Sequence, residues 1–273
     1  MLVNNCVAHF SPLSSDPLLA QRLAKVDVVK LHLGAHIDGF AAIAAETIVV
    51  AMRLVRVGNK NWQVTEAVSK VAAAWDCKPV EGMLSCLQTQ NVIDGKKSII
   101  LNPGKGQKRD FETVTFAEGE VYGIDVLVSS GEDGKAPLEE SRTMIYQRDH
   151  MVSYQLKMKT KKAGPFPFNV CVLDDEKRAR MGLQAAVQHS LVKPYEVVYT
   201  PPNTFVAAFH FTSALLPGGP SLLTHPRVWY NPELVRTEKE LRRLPSSLTR
   251  IFTSKSVTQF SPAPAPLTVL NFM

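Results

Sequence analysis

At 273 residues, with 45% hydrophobic and 21% charged side chains, the chain is long and apolar enough to bury a core, which excludes a wholly disordered class. A net charge of +6 is a mild basic excess that suits nucleic acid or an acidic partner without requiring either. Four scattered cysteines with no CxxC exclude a zinc ribbon and a disulfide frame, and no apolar run is long enough for a membrane helix; residues 1–20 also lack the pattern of a signal peptide, so a soluble intracellular protein with reduced thiols is expected.

Asn4–Pro12 (NNCVAHFSP) reads as a polar strand running into a loop, and Ser14–Leu23 as loop with at most one helical turn. Val28–Val50 predicts a β-hairpin. Its two arms are rich in Val, Ile, Leu, Ala and Thr and flank Asp38-Gly39, a dipeptide that tolerates φ > 0 at both positions. The period of two puts Lys30 and His32 on one face of the first arm and Leu31 and Leu33 on the other. The second arm, Phe40–Ile48, is small and apolar, so nothing ionisable faces His32 until Glu46. That pattern suggests a polar site that has lost half its polar groups.

Ala51–Val57 predicts the tail of an amphipathic helix stopped by Gly58, and Thr65–Trp75 a helix starting at Thr65, with Trp62 and Trp75 as core residues. Lys78–Gly95 reads as an irregular, Gly-punctuated stretch, Phe111–Ser130 as strand-rich with a turn at Glu118-Gly119, and Arg142–Tyr154 as a strand pair. Asp174–Leu191 predicts a helix whose acidic first turn complements the helix dipole. Val197–Leu216 predicts two strands split by Pro201-Pro202-Asn203. Beyond Pro217 the chain reads as Pro-rich and irregular, with a charged helix over Glu233–Leu244 and a loose end over Ser246–Met273. The mixed order predicts an α+β fold with an antiparallel sheet, not a doubly wound one.

Several segments carry a resemblance: NNCVAHFSP, VKLHLGAHIDGF, LVRVGNKNWQVTEA, KPVEGMLS with NVIDGKKSI, GEVYGIDVLVSSGEDG, YQLKMKT, DEKRARMG and FVAAFHFTSALLPGGP. In that order, from Leu2 to about Pro220, the chain resembles the proliferation-associated 2G4 (ErbB3-binding protein 1) family. The resemblance implies the pita-bread fold of creatinase and type II methionine aminopeptidases, a central antiparallel sheet flanked by helices, here incomplete at the N-terminus. It also implies an inactive relative of M24-type peptidases that binds structured RNA and ribosomes and regulates translation, rRNA processing and proliferation.

On this reading residues 1–223 form the aminopeptidase-like domain, 157–196 within it being a shortened type II insert, and 224–273 form an irregular tail. The family's N-terminal helical segment, a helix-sized block between Val50 and Ala51, and the C-terminal lysine tract are missing. Where the family carries an LxxLL-type partner motif this chain reads Leu241-Arg242-Arg243-Leu244-Pro245, and proline breaks the helix such a motif requires.

A dinuclear aminopeptidase holds its cations with two aspartates, a histidine and two glutamates, hard or borderline donors around an activated water. The resemblance maps those positions onto His32, Ile43, Met83, Asp125 and His210, and keeps a substrate-side histidine as His9. Ile43 and Met83 cannot ligate a hard cation and no bridging carboxylate remains. The expectation is therefore a pseudoenzyme with a vestigial pocket and no metal or other cofactor. The alternative is a single zinc on His32, Asp125 and His210, and with it a rebuilt aminopeptidase-like hydrolase.

Three basic groups stand out: Lys157, Lys159, Lys161 and Lys162 in KMKTKK, Lys105, Lys108 and Arg109 in a Gly-rich loop, and Lys177, Arg178 and Arg180 on a helix. Such groups grip phosphates without reading sequence, and no aromatic pair suited to base stacking accompanies them. Gly104-Lys105-Gly106 lacks the spacing of a phosphate-binding P-loop. The expected partners are structured RNA and the ribosome, with receptor cytoplasmic tails or transcription regulators as the alternative. The chain is expected to be a monomer without membrane insertion, cytoplasmic and also nuclear or nucleolar.

Overall fold

In the computed structural model the described residues are 2–12, 23–24, 27–44, 54–137, 143–149, 166–173 and 176–224. In chain order the first strands are β1 (Leu2–Val3), β2 (Cys6–Ala8), β3 (Val29–Lys30), β4 (Leu33–Ile37), β5 (Phe40–Ala44), β6 (Lys78–Pro79), β7 (Leu84–Gln88) and β8 (Ser98–Ile100). They are followed by β9 (Val121–Ser129), β10 (Ile145–Arg148), β11 (Phe168–Asn169), β12 (Val192–Tyr195), β13 (Val198–Tyr199), β14 (Val206–Leu216) and β15 (Gly219–Leu222). The helices are α1 (Asn61–Ala74), α2 (Gln107–Asp110) and α3 (Glu176–Gln188).

The main sheet runs β4-β5-β14-β9-β7-β8, with β15 added to β14 and β6 to β9, and its pairings are all antiparallel. Its axis is the long β9–β14 pair, whose register sets Asp125 opposite His210 and Ile124 opposite Phe211. Alternation along β9 sends Tyr122, Ile124 and Val126 to one side and Gly123, Asp125 and Leu127 to the other. On the first side these side chains join Val64 and Val68 of α1, Ile99, Leu101, Phe116, Phe211 and Leu215 in a closed apolar core. Each such side chain stabilises the fold by about 1.5–3 kcal/mol through burial.

A second unit packs α3 against the small sheet β11-β10-β12, with Leu183 and Ala186 of the helix against Met144, Phe168, Val170 and Val192. Two short ribbons, β1–β3 and β2–β13, carry the N-terminal segment, and Val7 packs there with Val80, Leu127 and Val206.

The antiparallel α+β reading is borne out, with local corrections. Asp38 and Gly39 do turn the β4–β5 hairpin, at φ 50° and 85°. The expected first arm is broken, however. Lys30 belongs to β3, paired with Leu2, while Leu31 and His32 lie outside any strand and are exposed, so Lys30 and His32 do not share one face of a continuous strand. The helix expected from Thr65 starts at Asn61. The Lys60 N–H donates to Gln63 Oε1 (2.7 Å), and Asn61 Oδ1 accepts from Trp62 N–H (3.0 Å). Thr65 is buried inside the helix and donates to the Ile100 carbonyl (2.6 Å).

The stretch expected to be irregular over Lys78–Gly95 contains β6 and β7, whose pairing buries Ser85 and Gln88. The strand pair expected over Arg142–Tyr154 is one strand, β10, whose partners come from β11 and β12. β15 follows Pro217 where irregular chain was expected. The expected helical tail over Ala51–Val57 lies partly, and the segments beyond 224 wholly, outside the described residues.

Lys30 fastens the N-terminal ribbon to the main sheet. It is 5% exposed, and its Nζ donates to the carbonyls of Asn4 (2.7 Å) and Val206 (3.0 Å), with no carboxylate partner among the described residues. Desolvation brings its pKa down to about 8. The folded value lies below the unfolded one, so the unfolded chain binds the extra proton between them and stability rises with pH above about 8. Cys86, raised to about 11 by burial, acts in the opposite sense once unfolded thiols ionise. The Lys30 contribution is therefore read as a difference. Urea unfolding at pH 7.5 and pH 9.5 is expected to show the native chain gaining about 1–2 kcal/mol relative to Lys30→Met over that interval; parallel curves would contradict the assignment.

Candidate functional site

The second face of the main sheet gathers the ionisable groups. Cross-strand pairing holds His210 and Asp125 side by side, with Nδ1 of the histidine 3.6 Å from Oδ1 of the aspartate and side chains 13% and 24% exposed. The Asp125 backbone is itself clamped: its N–H donates to Ser85 Oγ (2.9 Å), and that hydroxyl donates to its carbonyl (3.1 Å). His32, entering from the break before β4, sets its ring edge-on to that of His210 with centroids 6.5 Å apart. Gly34, paired with Ile43 across the hairpin, lies under the Phe166 ring, and a methyl there would sit 3.0 Å from Phe166 Cζ.

His9 completes the group from the N-terminal side. Its backbone is left-handed at φ 65°, a conformation that a non-glycine residue holds only against surrounding constraint. The constraint is visible. Its Nδ1 lies 2.8 Å from the Glu196 carbonyl, which fixes that nitrogen as the N–H, and its ring meets Tyr195 edge-on at 4.7 Å. Nε2 is then the free lone pair of the neutral ring.

The electrostatics disfavour the protonated form of His9 and of His32. Desolvation lowers the pKa of His9, only partly offset by the Glu196 carbonyl and the Asp125 charge. His32 is more open to solvent, yet its ring is recessed among protein atoms. Desolvation lowers its pKa, His210, His9 and Lys30 add to that, and Asp125 opposes it. A histidine with a lowered folded pKa takes its proton more readily unfolded, so stability is full above the ordinary value and falls on acidification. His32→Gln is expected to reduce the drop in urea midpoint between pH 7 and pH 5; an unchanged drop would show that the His32 ring is not held neutral by the fold.

Sequence reading missed three contributors. Gln88 and Cys86 of β7 face this side, because Cys86 pairs with Gly123 and Gln88 with Val121. Gly123 is the signal that was available: a glycine within a strand marks a close approach. A methyl there would collide with the Gln88 amide and stand 3.3 Å from His210 Nε2. His36, two residues on from Gly34, approaches the Phe166 ring at 5.9 Å. Among the described residues, four buried polar atoms on this face have no hydrogen-bond partner: His36 Nδ1, Gln88 Oε1, Asp125 Oδ1 and His210 Nε2. It is a polar, acceptor-rich face.

Of the positions singled out in the sequence, His9, His32, Asp125 and His210 come together. Ile43 is bound into the sheet by its backbone, its N–H donating to Thr212 Oγ1 (3.0 Å) and its carbonyl accepting from Thr224 Oγ1 (2.8 Å). Met83 packs into the neighbouring apolar cluster with Val7 and Leu127. The positions that the resemblance assigns to a dinuclear metal centre do not fit one: two of them carry aliphatic or thioether side chains, and among the described residues no three His, Cys, Asp or Glu side chains converge to hold an ion. Cys86, with its thiol pushed up to about 11, supplies no thiolate at neutral pH.

The basic residues lie apart from this face. Lys105, and Lys108 and Arg109 on α2, are exposed beside an open depression of about 690 Å³ whose wall includes Glu81, Asp133 and Lys135. Arg178 is exposed on α3, where Arg180 is half-buried. Lys177 belongs to α3, but its side chain, like all of Lys157, Lys159, Lys161 and Lys162, lies outside the described residues. Among the described residues no helix is long and apolar enough to cross a membrane.

The chain is 41% identical over 252 residues to the curved DNA-binding protein of Schizosaccharomyces pombe, covering 81% of this chain and 66% of that one. It is 40% identical over 271 residues to ErbB-3 binding protein 1 of Arabidopsis thaliana, covering 88% and 68%. The chain thus spans about two thirds of the length of these relatives. Methionine aminopeptidase 2 of Komagataella phaffii is more distant, 22% identical over 254 residues, with 79% and 55% covered. Among solved structures the fold matches a thermophilic Arx1 with a TM-score of 0.78 at 24% identity, covering 93% of this chain and 81% of that one. It matches methionine aminopeptidase of Thermotoga maritima with a TM-score of 0.52 at 15% identity, covering 82% and 72%. The fold is therefore the pita-bread fold, as the motifs implied. No protein-family model matches the chain.

Proposed function

The chain belongs to the ErbB3-binding protein 1 family, related at a distance to methionine aminopeptidases, and on that premise we propose that it is a non-catalytic RNA- and ribosome-binding regulator of translation and proliferation. The observation that carries the reading is the composition of the former catalytic face. Ile43 and Met83 stand at two of the positions the family resemblance assigns to metal ligands, and the Ile43 backbone is held by the hydroxyls of Thr212 and Thr224. A site without hard donors at these positions retains the sheet as a platform and leaves function to the surface.

Nucleic-acid binding is supported by the name of the fission yeast relative, a curved DNA-binding protein, and by the exposed cluster Lys105, Lys108 and Arg109. Charge on a loop grips phosphate without reading bases. On this reading residues 1–223 are the platform, 157–196 a shortened insert and 224–273 a tail, and the protein works in the cytoplasm and also in the nucleus or nucleolus. A second reading, a scaffold for receptor tails, draws on the name of the Arabidopsis thaliana relative.

The test of the non-catalytic half is hydrolysis of a Met-Ala-Ser peptide with cobalt, manganese or zinc added in turn. Release of methionine at the uncatalysed rate is expected with each metal. Turnover that is lost in His32→Ala or Asp125→Ala would replace the reading with a rebuilt hydrolase.

A further inference from the structure

Trp62, expected in the core from sequence, lies outside it. The buried face of α1 includes Asn61, Val64, Thr65, Val68, Val71 and Ala72, and Trp62 stands beside that face, half-buried. Its ring meets that of half-buried Phe111 edge-on, with centroids 5.9 Å apart and planes at 83°. An edge-on pair leaves at least one face of each ring uncovered by the other. Asn61 fixes the pairing. Its backbone N–H donates to the Val114 carbonyl (3.1 Å) and its buried amide to the Glu112 carbonyl (2.9 Å), so the start of α1 is held against the segment that follows Phe111.

Exposed cations flank the pair on both strands of chain. Lys60 comes just before Trp62, and Lys105, Lys108 and Arg109 come just before Phe111, whose N–H closes α2 on the Gln107 carbonyl (3.0 Å). Among the described residues no ion pair engages these four. Asp110 and Glu112 are the exposed carboxylates on either side of Phe111, so the cations are in excess. Half-buried aromatic rings edged by free cations match one kind of occupant, a flat base carried on a phosphate chain. A duplex keeps its bases stacked within itself and offers only its backbone, and an acidic peptide offers charge without a ring to stack.

We infer that Trp62 and Phe111 form a stacking platform for an unpaired base of RNA, with Lys60, Lys108 and Arg109 on the adjoining phosphates. The inference rests on the RNA-binding reading above and deepens it: the partner is a duplex that carries an unpaired segment, and because every base has a face to stack, its identity matters little. No such pair can be found beside the basic residues in the sequence, because Trp62 and Phe111 meet only through the Asn61 hydrogen bonds.

Binding of the full chain to two RNAs at one fixed salt concentration tests this. One is a hairpin with an unpaired loop and the other is the same stem as a blunt duplex. Trp62→Ala, and separately Phe111→Ala, is expected to weaken binding to the loop RNA by about tenfold or more and to leave duplex binding unchanged. Trp62→Phe keeps a ring to stack and is expected to keep loop binding. Loop RNA is expected to quench the tryptophan emission of the native chain, and that quench is expected to vanish in Trp62→Phe, which a purely structural Trp62 would not produce. Protected amides at Val126 and Phe211 report that each variant is folded, and the quench and the Phe111→Ala chain decide the matter if Trp62→Ala is not. Native affinity for the loop RNA in the folded alanine variants, or no quench in the native chain, overturns the proposal and leaves RNA binding itself standing. An equal loss for loop and duplex also overturns it. A native chain that binds neither RNA overturns it together with the RNA-binding reading.

Discussion

Replacing Lys157, Lys159, Lys161 and Lys162 together by glutamine is expected to flatten the salt dependence of binding to structured RNA by about four units of slope. Each phosphate contact releases close to one counterion, so affinity falls with salt in proportion to the number of contacts. Between 50 and 200 mM salt the native chain should lose about a hundredfold more affinity than the variant. The loop set Lys105, Lys108 and Arg109 is smaller and exposed, and its neutralisation should remove about three units in the same experiment. Because the sequence carries no aromatic pair in an RNP-like pattern, base sequence should matter little and duplex shape more. Identical slopes in native and variant chains would remove KMKTKK from the interface.

Phe211→Ala is expected to cost about 3–5 kcal/mol of unfolding free energy, measured by urea denaturation. Phe211 is 1% exposed at the centre of the core formed by α1 and the main sheet. It touches more than packing. On one side it pairs with Ile124 of β9, and on the other it is the register point for Ala44, through which the β4–β5 hairpin joins β14. Its neighbour His210 lies on the opposite, polar face beside Asp125. Truncation there leaves a cavity under α1 and loosens the hairpin that brings in His32. A loss below about 1.5 kcal/mol, typical of a side chain whose surroundings collapse freely, would contradict this central role.

Much of the fold could be read from the residues. The Asp38-Gly39 turn was legible because a two-residue hairpin loop demands φ > 0 at both positions, which those residues accept. The long strands β9 and β14 were legible from their length and apolar content. Short strands were not: β6 and β7 are two and five residues long, and their buried polar residues Ser85 and Gln88 interrupt the pattern that marks a strand. The α1 start was displaced because Thr65 resembles a cap, whereas the cap is Lys60, whose N–H donates to Gln63 Oε1, and the next residue, Asn61, donates to the Ser98 and Glu112 carbonyls at 3.1 and 2.9 Å.

The site was half legible. Motif order pointed to His9, His32, Asp125 and His210, and these meet. Gln88 and His36 were invisible because what brings them in is strand register, set by pairings far apart in the sequence. Lys30 and His32 were placed on one face by a period of two that fails where β3 stops and β4 has not begun.

Co-sedimentation with ribosomes tests the central claim most directly. Purified full chain, mixed with ribosomes and spun through a sucrose cushion, is expected to pellet with them at 50 mM salt and to be released progressively as salt rises to 200 mM and above, the lysine-neutralised variant remaining in the supernatant. Protein that stays in the supernatant at low salt while its core amides are protected from exchange would contradict the account.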